Sequence, residues 1–139
     1  MRILFDTNVV LDIILKREPF VRDANQIVQF VGNTMSDELL LTSLSVTNIV
    51  YIARKKIGNN MYSLLNDLCV VFSIVNVDSS VIHSAILRRW KDFEDAVQYE
   101  AAIHSKADCI VTRNIKDFED REGVVILSPE EFVSKYCNN

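Results

Sequence analysis

Apolar residues follow two rhythms along the chain. Short unbroken runs occur at Ile3-Leu4-Phe5, Leu39-Leu40-Leu41-Thr42, Cys109-Ile110-Val111-Thr112 and Val124-Val125-Ile126-Leu127. Their length and apolar content predict buried strands, and Ser73 to Val77 reads as a further strand. Between them apolar residues recur at helical spacing, as in Val21, Ala24, Ile27, Val28 and Val31. A second such stripe is Met61, Leu64, Leu65, Leu68, Cys69 and Phe72. Further helices are expected over Val9 to Lys16, from Ser43 or Ser45 to about Lys56, from Asp78 or Ser79 to Arg89, and from Asp92 to about His104. Ser128-Pro129-Glu130-Glu131 carries Ser at the cap, Pro at the first helical position and Glu at the third, which predicts the start of a last helix.

Strands that alternate with helices predict a parallel sheet covered on both faces, a three-layer α/β/α architecture with right-handed crossovers. In such folds ligands bind beyond the carboxyl ends of the strands. The polar residues that directly follow each strand are therefore where chemistry is expected.

Composition narrows the choice. A length of 139 residues fits one domain spanning 1–139. Three glycines and two prolines leave little for hairpin turns and disfavour an all-β fold. The net charge of −4 argues against nucleic-acid binding by bulk attraction, so such a role needs a local positive rim or metal ions. Cys69, Cys109 and Cys137 are odd in number and widely spaced. Cys69 and Cys109 sit in apolar runs and read as small core residues, which suits a reducing cytosol. His83 and His104 are isolated, so no zinc spacing exists. No apolar stretch approaches the ~20 residues of a membrane span. A cytoplasmic protein is expected.

Three strands end in polar groups: Asp6 after the first, Thr42-Ser43 and then Asn48 after the second, and Thr112-Arg113-Asn114 with Asp117 after the strand at Cys109. Asp92-Phe93-Glu94-Asp95 opens a helix. A parallel sheet brings these to one edge. Gathered carboxylates repel one another unless one is protonated or a hard cation sits among them. Magnesium and manganese favour oxygen ligands, and such a cation polarises a phosphodiester and lowers the pKa of an attacking water. Each residue also has a plainer role: Asp6 and Asp92 as helix caps, and Thr112, Asn114 and Asp117 as turn formers. Asp12, Asp23, Glu38 and Asp67 read as solvated surface acids. Arg113 and Lys116 flank the expected site and suit phosphate contacts, whereas the runs at Arg54-Lys55-Lys56 and Arg88-Arg89 read as solvated helix ends.

The ordered set resembles the PIN-domain family, in the bacterial branch that includes toxin ribonucleases. Asp6-Thr7-Asn8-Val9-Val10-Leu11-Asp12 resembles the family's opening, and Thr42 to Tyr51 its second motif. Asp92-Phe93-Glu94-Asp95-Ala96-Val97-Gln98 resembles the third, Ile110 to Phe118 the fourth, and Ser128 to Phe132 the closing helix. The resemblance implies a divalent-metal-dependent endoribonuclease. Asp6, Asp95 and Asp117 would ligate Mg²⁺ or Mn²⁺ and carry catalysis, with Asp92, Thr112 and Asn114 in support. Arg113 and Lys116 would contact RNA phosphates. It also implies a small antitoxin as partner and a homodimer. Many members carry a glutamate where this chain has Asn48, which offers a neutral oxygen but no charge.

Two other readings stand beside this one. A PIN fold that binds RNA or a partner protein without cutting is favoured by Asn48. A phosphoaspartate enzyme with Asp6 as nucleophile is disfavoured, because a second Asp is expected two residues on and Asn8 stands there.

Overall fold

A computed structural model describes residues 1–138. Five strands form one parallel sheet: β1 (Arg2–Phe5), β2 (Glu38–Thr42), β3 (Phe72–Val75), β4 (Cys109–Val111) and β5 (Val125–Leu127). Their spatial order is β3-β2-β1-β4-β5. The first strand is thus central, with Leu4 opposite both Leu40 and Ile110. Strands shielded on both faces need apolar residues at every position, and Ile3, Leu4 and Phe5 are all fully buried.

Among the described residues seven α-helices flank the sheet: α1 (Thr7–Ile14), α2 (Phe20–Gly32), α3 (Ser43–Ile57), α4 (Met61–Val71), α5 (Ser79–Arg88), α6 (Phe93–His104) and α7 (Pro129–Phe132). Side chains alternate across the sheet, which divides the core in two. Ile3, Phe5, Leu39, Leu41, Cys109 and Val111 pack on one side with Val9, Val10, Ile27, Ile49 and Phe132. Leu4, Leu40, Ile110 and Ile126 pack on the other with Tyr99, Ala102 and Phe118. The expected three-layer α/β/α fold is the observed one. Among the described residues no helix is long and apolar enough to cross a membrane.

Helix α6 is buried along Asp95 to Ala102. Ala96, Ala101 and Ala102 let it lie close to its neighbours, and α5 packs on it through Val81 and Ala85. Arg88 straps this layer together. Its Nε donates to Glu100 at 2.5 Å and its Nη1 to Asp120 at 2.8 Å, while its guanidinium lies over the Tyr99 ring.

Local differences from the sequence reading have physical causes. The cap of α3 is Thr42, one residue before Ser43 and three before Ser45; its Oγ1 accepts from Ser45 N–H at 3.0 Å. Ser45 is instead buried, its hydroxyl shared among Thr7, Thr42 and Gln98. The chain already enters strand β3 at Phe72 and leaves it at Val75. Cys69 is exposed rather than in the core. Helix α4 buries Met61 and Leu68, one face seven residues apart, and Cys69 is turned out of it. Cys109 is buried on β4 as expected.

Asp12 is no solvated surface acid: it is 1% exposed. Arg113 neutralises it with two hydrogen bonds, Nε to Oδ2 at 2.8 Å and Nη2 to Oδ1 at 3.0 Å. Arg17 adds a third cationic contact at 3.6 Å. A burial cost that would exclude a lone carboxylate is met here by a planar, bidentate partner.

Candidate metal centre

Strand β1 ends at Phe5, and Asp6 follows as the cap of α1. Its backbone N–H donates to the Val111 carbonyl of β4 at 3.0 Å. Its carboxylate accepts from Thr7 N–H at 2.8 Å and from the Thr112 hydroxyl at 2.8 Å. The Thr112 hydroxyl oxygen in turn accepts from Asn114 N–H at 3.0 Å. The two central strands thus lock Asp6 and the β4 exit together. Capping and site placement coexist in one residue.

Helix α6 points its first turn at the same edge. Asp92 caps it by accepting from Asp95 N–H at 3.0 Å. That bond aims Asp95 inward, where it is 5% exposed and its Oδ2 is buried without a hydrogen-bond partner. An unpartnered buried carboxylate oxygen is costly unless protonated or bound to a cation. Asp117 arrives on a 3₁₀ turn, Ile115–Asp117, after β4. Carboxylate oxygens of Asp92, Asp95 and Asp117 lie within 4.8 Å of one another.

Electrostatics follow from this crowding. Burial pushes the Asp95 carboxyl up to about 8, helped by the negative charges of Asp6, Asp92, Asp117 and Glu94. Burial also raises Asp6, against the lowering effect of its bonds from Thr112 and Thr7. The sites hold excess negative charge and supply oxygen donors alone, as hard divalent cations require. The donor set and the orphaned Asp95 oxygen fit Mg²⁺ or Mn²⁺.

The cleft above these groups has a volume of about 340 Å³. Its lining combines the acids Asp6, Asp92, Glu94 and Asp95 with Asn48, Tyr51 and Ile52 of α3. Asn8 and Asn114 complete it with Thr7. Asp117 opens into an adjoining hollow with Lys91 and Lys116.

The sequence-derived residues therefore converge, with differences in emphasis. Asp95 and Asp117 sit in the tight carboxylate group together with Asp92, while Asp6 adjoins it as the largest like-charge influence on Asp95. Asn48 and Asn114 line the cleft, and Thr112 stands behind Asp6. Lys116 lies at the flank. Arg113 commits two of its three nitrogens to Asp12, and its guanidinium lies 3.9 Å from the Phe20 ring centre. Sequence reasoning missed Glu94, whose Oε1 accepts from Asn48 Nδ2 at 2.9 Å. The acidic run at 92–95 was the available signal, but a partner 46 residues away leaves no trace in spacing. Tyr51 and Ile52 were missed as well, because exposed apolar residues at helical spacing read as packing.

A parallel α/β sandwich with a carboxylate centre at the exit of its central strands defines the class. Within it, this chain belongs to the PIN domain family, whose model matches residues 2–116. Solved structures share the fold. A toxin–antitoxin complex from Klebsiella pneumoniae superposes with a TM-score of 0.69 at 22% identity, covering 91% of this chain and 96% of that one. VapBC-1 from nontypeable Haemophilus influenzae gives 0.70 at 14% identity, covering 94% and 99%. Mycobacterium tuberculosis VapC20, described as a Sarcin-Ricin loop cleaving toxin, gives 0.60 at 10% identity, covering 78% and 86%. No curated protein matches the chain in sequence.

Proposed function

We propose that this chain, folded as one domain over residues 1–139, is a divalent-metal-dependent endoribonuclease and the toxin of a toxin–antitoxin pair. The observation that carries the reading is the buried, unpartnered Asp95 oxygen within a group of carboxylates. The toxin assignment rests on what the similar structures are described as, a toxin–antitoxin complex and a Sarcin-Ricin loop cleaving toxin among them. A small antitoxin protein and a second copy of the chain are the expected partners, in the cytoplasm.

Asp92, Asp95 and Asp117 would hold Mg²⁺ or Mn²⁺, with Asp6 beside them. When bound, the cation supplies Lewis acidity at a phosphodiester and lowers the pKa of an attacking water. Asp6 is kept in one orientation by Thr7 N–H and the Thr112 hydroxyl, so its free lone pairs face a fixed direction. Lys116, with the third nitrogen of Arg113, steadies neighbouring phosphates, and Asn114 offers its amide to the sugar–phosphate backbone. Asn48 keeps Glu94 at the cleft mouth, so a carboxylate faces the site from α6 although α3 brings none.

The test is cleavage of labelled single-stranded RNA with and without Mg²⁺ or Mn²⁺, beside Asp6→Asn and Asp95→Asn. Metal-dependent cleavage lost in both variants supports the reading. Cleavage that survives both would relocate the site. No cleavage by the unaltered protein with either metal would favour a PIN module that binds RNA or a partner protein without cutting, the reading to which the neutral Asn48 points.

A further inference from the structure

One face of α3 runs outward from the carboxylates. Asn48, Tyr51, Ile52 and Lys55 recur along it at the three- and four-residue spacing that stacks side chains on one side of a helix. Asn48, Tyr51 and Ile52 line the cleft. Tyr51 is 69% exposed and Ile52 49%. Packing within the fold does not account for a tyrosine ring left in water beside charged groups. Among the described residues no other aromatic ring touches it; its ring contact is with Arg54, whose guanidinium carbon lies 4.1 Å from the ring centre. Arg54 also donates to the Tyr51 carbonyl, which ties the pair together.

Charge gives this face a direction. The cleft is acidic, so an incoming phosphodiester strand finds cations only at its flanks. One flank carries Lys91 and Lys116. The other is the last turn of α3, with Arg54, Lys55 and Lys56. Tyr51 stands between the carboxylates and this second flank, and each helical turn advances the track by about 5.4 Å.

We propose that Tyr51 is a stacking platform for one unpaired base of the RNA strand next to the cleaved linkage, with Arg54 and Lys55 taking the adjoining phosphates. The proposal rests on the ribonuclease reading and names its substrate class: single-stranded RNA, because a base within a duplex has both faces already stacked. Aromatic stacking is tolerant of base identity, since every base offers a π-face. The platform therefore selects strand state rather than sequence.

The experiment is steady-state cleavage of a short fluorescein-labelled single-stranded RNA in Mn²⁺ by the unaltered protein, Tyr51→Ala and Tyr51→Phe. The same RNA is also made with one abasic riboside, moved position by position across the cut. Tyr51→Ala is expected to raise KM about tenfold, the usual loss on removing a stacked ring, with kcat little changed. Tyr51→Phe stays near the unaltered protein. At one position the abasic riboside raises KM for the unaltered protein and adds nothing for Tyr51→Ala. Unchanged KM in Tyr51→Ala overturns the proposal, as do abasic penalties that add in full to that variant; Tyr51 would then face a protein partner. If the unaltered protein cuts no RNA, the ribonuclease reading fails separately. Fluorescence anisotropy with the same RNAs then decides the platform: weaker binding by Tyr51→Ala supports it and equal binding overturns it.

Discussion

Asn48 and Glu94 meet across the mouth of the cleft, the Asn48 amide donating to the Glu94 carboxylate at 2.9 Å. The bond joins α3 to the first turn of α6, where Glu94 also stands near the positive end of the helix dipole. Charge and position can be separated here. Glu94→Gln keeps an acceptor for Asn48 and removes the charge, whereas Asn48→Ala keeps the charge and frees the side chain. Titration with Mn²⁺ is expected to show weaker binding for Glu94→Gln and a smaller loss for Asn48→Ala, which frees the carboxylate without removing its charge. Because the bond is exposed, Asn48→Ala should change unfolding stability by less than about 1 kcal/mol. Equal Mn²⁺ affinities for Glu94→Gln and the unaltered protein would remove Glu94 from the centre.

The Asp95 carboxyl, raised to about 8 from 3.8, links stability to pH. A raised acid binds its proton more tightly in the folded state, so its stabilising contribution is complete below about 3.8 and is lost as pH rises through about 8. Asp6 is shifted in the same direction. Metal-free protein should therefore melt at a lower temperature at pH 8 than at pH 6. Added Mg²⁺ or Mn²⁺ should raise the melting temperature more at the higher pH, where the carboxylates are ionised. Asp95→Asn should flatten both trends, and a metal-free protein that melts higher at pH 8 would contradict the assignment.

Removing Asp12 strands two arginines. Asp12→Ala should cost about 2–4 kcal/mol in urea unfolding, below the loss for a fully buried pair because Arg113 and Arg17 keep some water. Arg113→Lys should recover little of the stability lost in Arg113→Ala, since an ammonium cannot make the two parallel bonds. A near-native midpoint for Asp12→Ala would mean that the pair contributes nothing to the fold.

Gly123 lies against the buried Tyr99 hydroxyl, to which its N–H donates at 2.9 Å. A Cβ there would stand 2.8 Å from that oxygen and 3.4 Å from Ile103 Cδ1. Tyr99 cannot retreat, because its ring packs on Trp90 under the Arg88 guanidinium. Gly123→Ala is expected to destabilise by about 1–3 kcal/mol, read from the urea midpoint. The carboxylate centre lies elsewhere, so Mn²⁺ affinity should be retained.

The sheet was legible in the sequence because strands buried on both faces have no polar alternation to blur them. Ile3-Leu4-Phe5 and Cys109-Ile110-Val111 announce themselves, and Ser128 with Glu131 forms the expected capping box. Asp6 was legible for the same reason, as a polar residue placed directly after such a run, whereas Asp92 and Asp95 stood out as an acidic helix start. Pairings across the fold were not. Nothing near Asp12 reveals that Arg113, 101 residues on, will neutralise it, so its burial went unread. A stripe that sets apolar residues on two adjoining faces does not say which face the core takes, so the exposure of Cys69 is hidden in the sequence. The exposure of Tyr51 is likewise a property of the assembled surface and leaves no mark in the sequence.

The anchoring of Asp6 by Val111 and Thr112 also sets a timetable. Synthesis proceeds at ~5–20 residues per second, so about 5–20 s separate the emergence of Asp6 from that of Thr112, 106 residues later. Through that interval β1 lacks its β4 neighbour, and Asp95 and Asp117 have yet to be made or placed. An unfinished chain carries the first acid of the centre but no centre. Whatever reaction these carboxylates support must wait until β4 has paired with β1 and Asp117 has followed it into place.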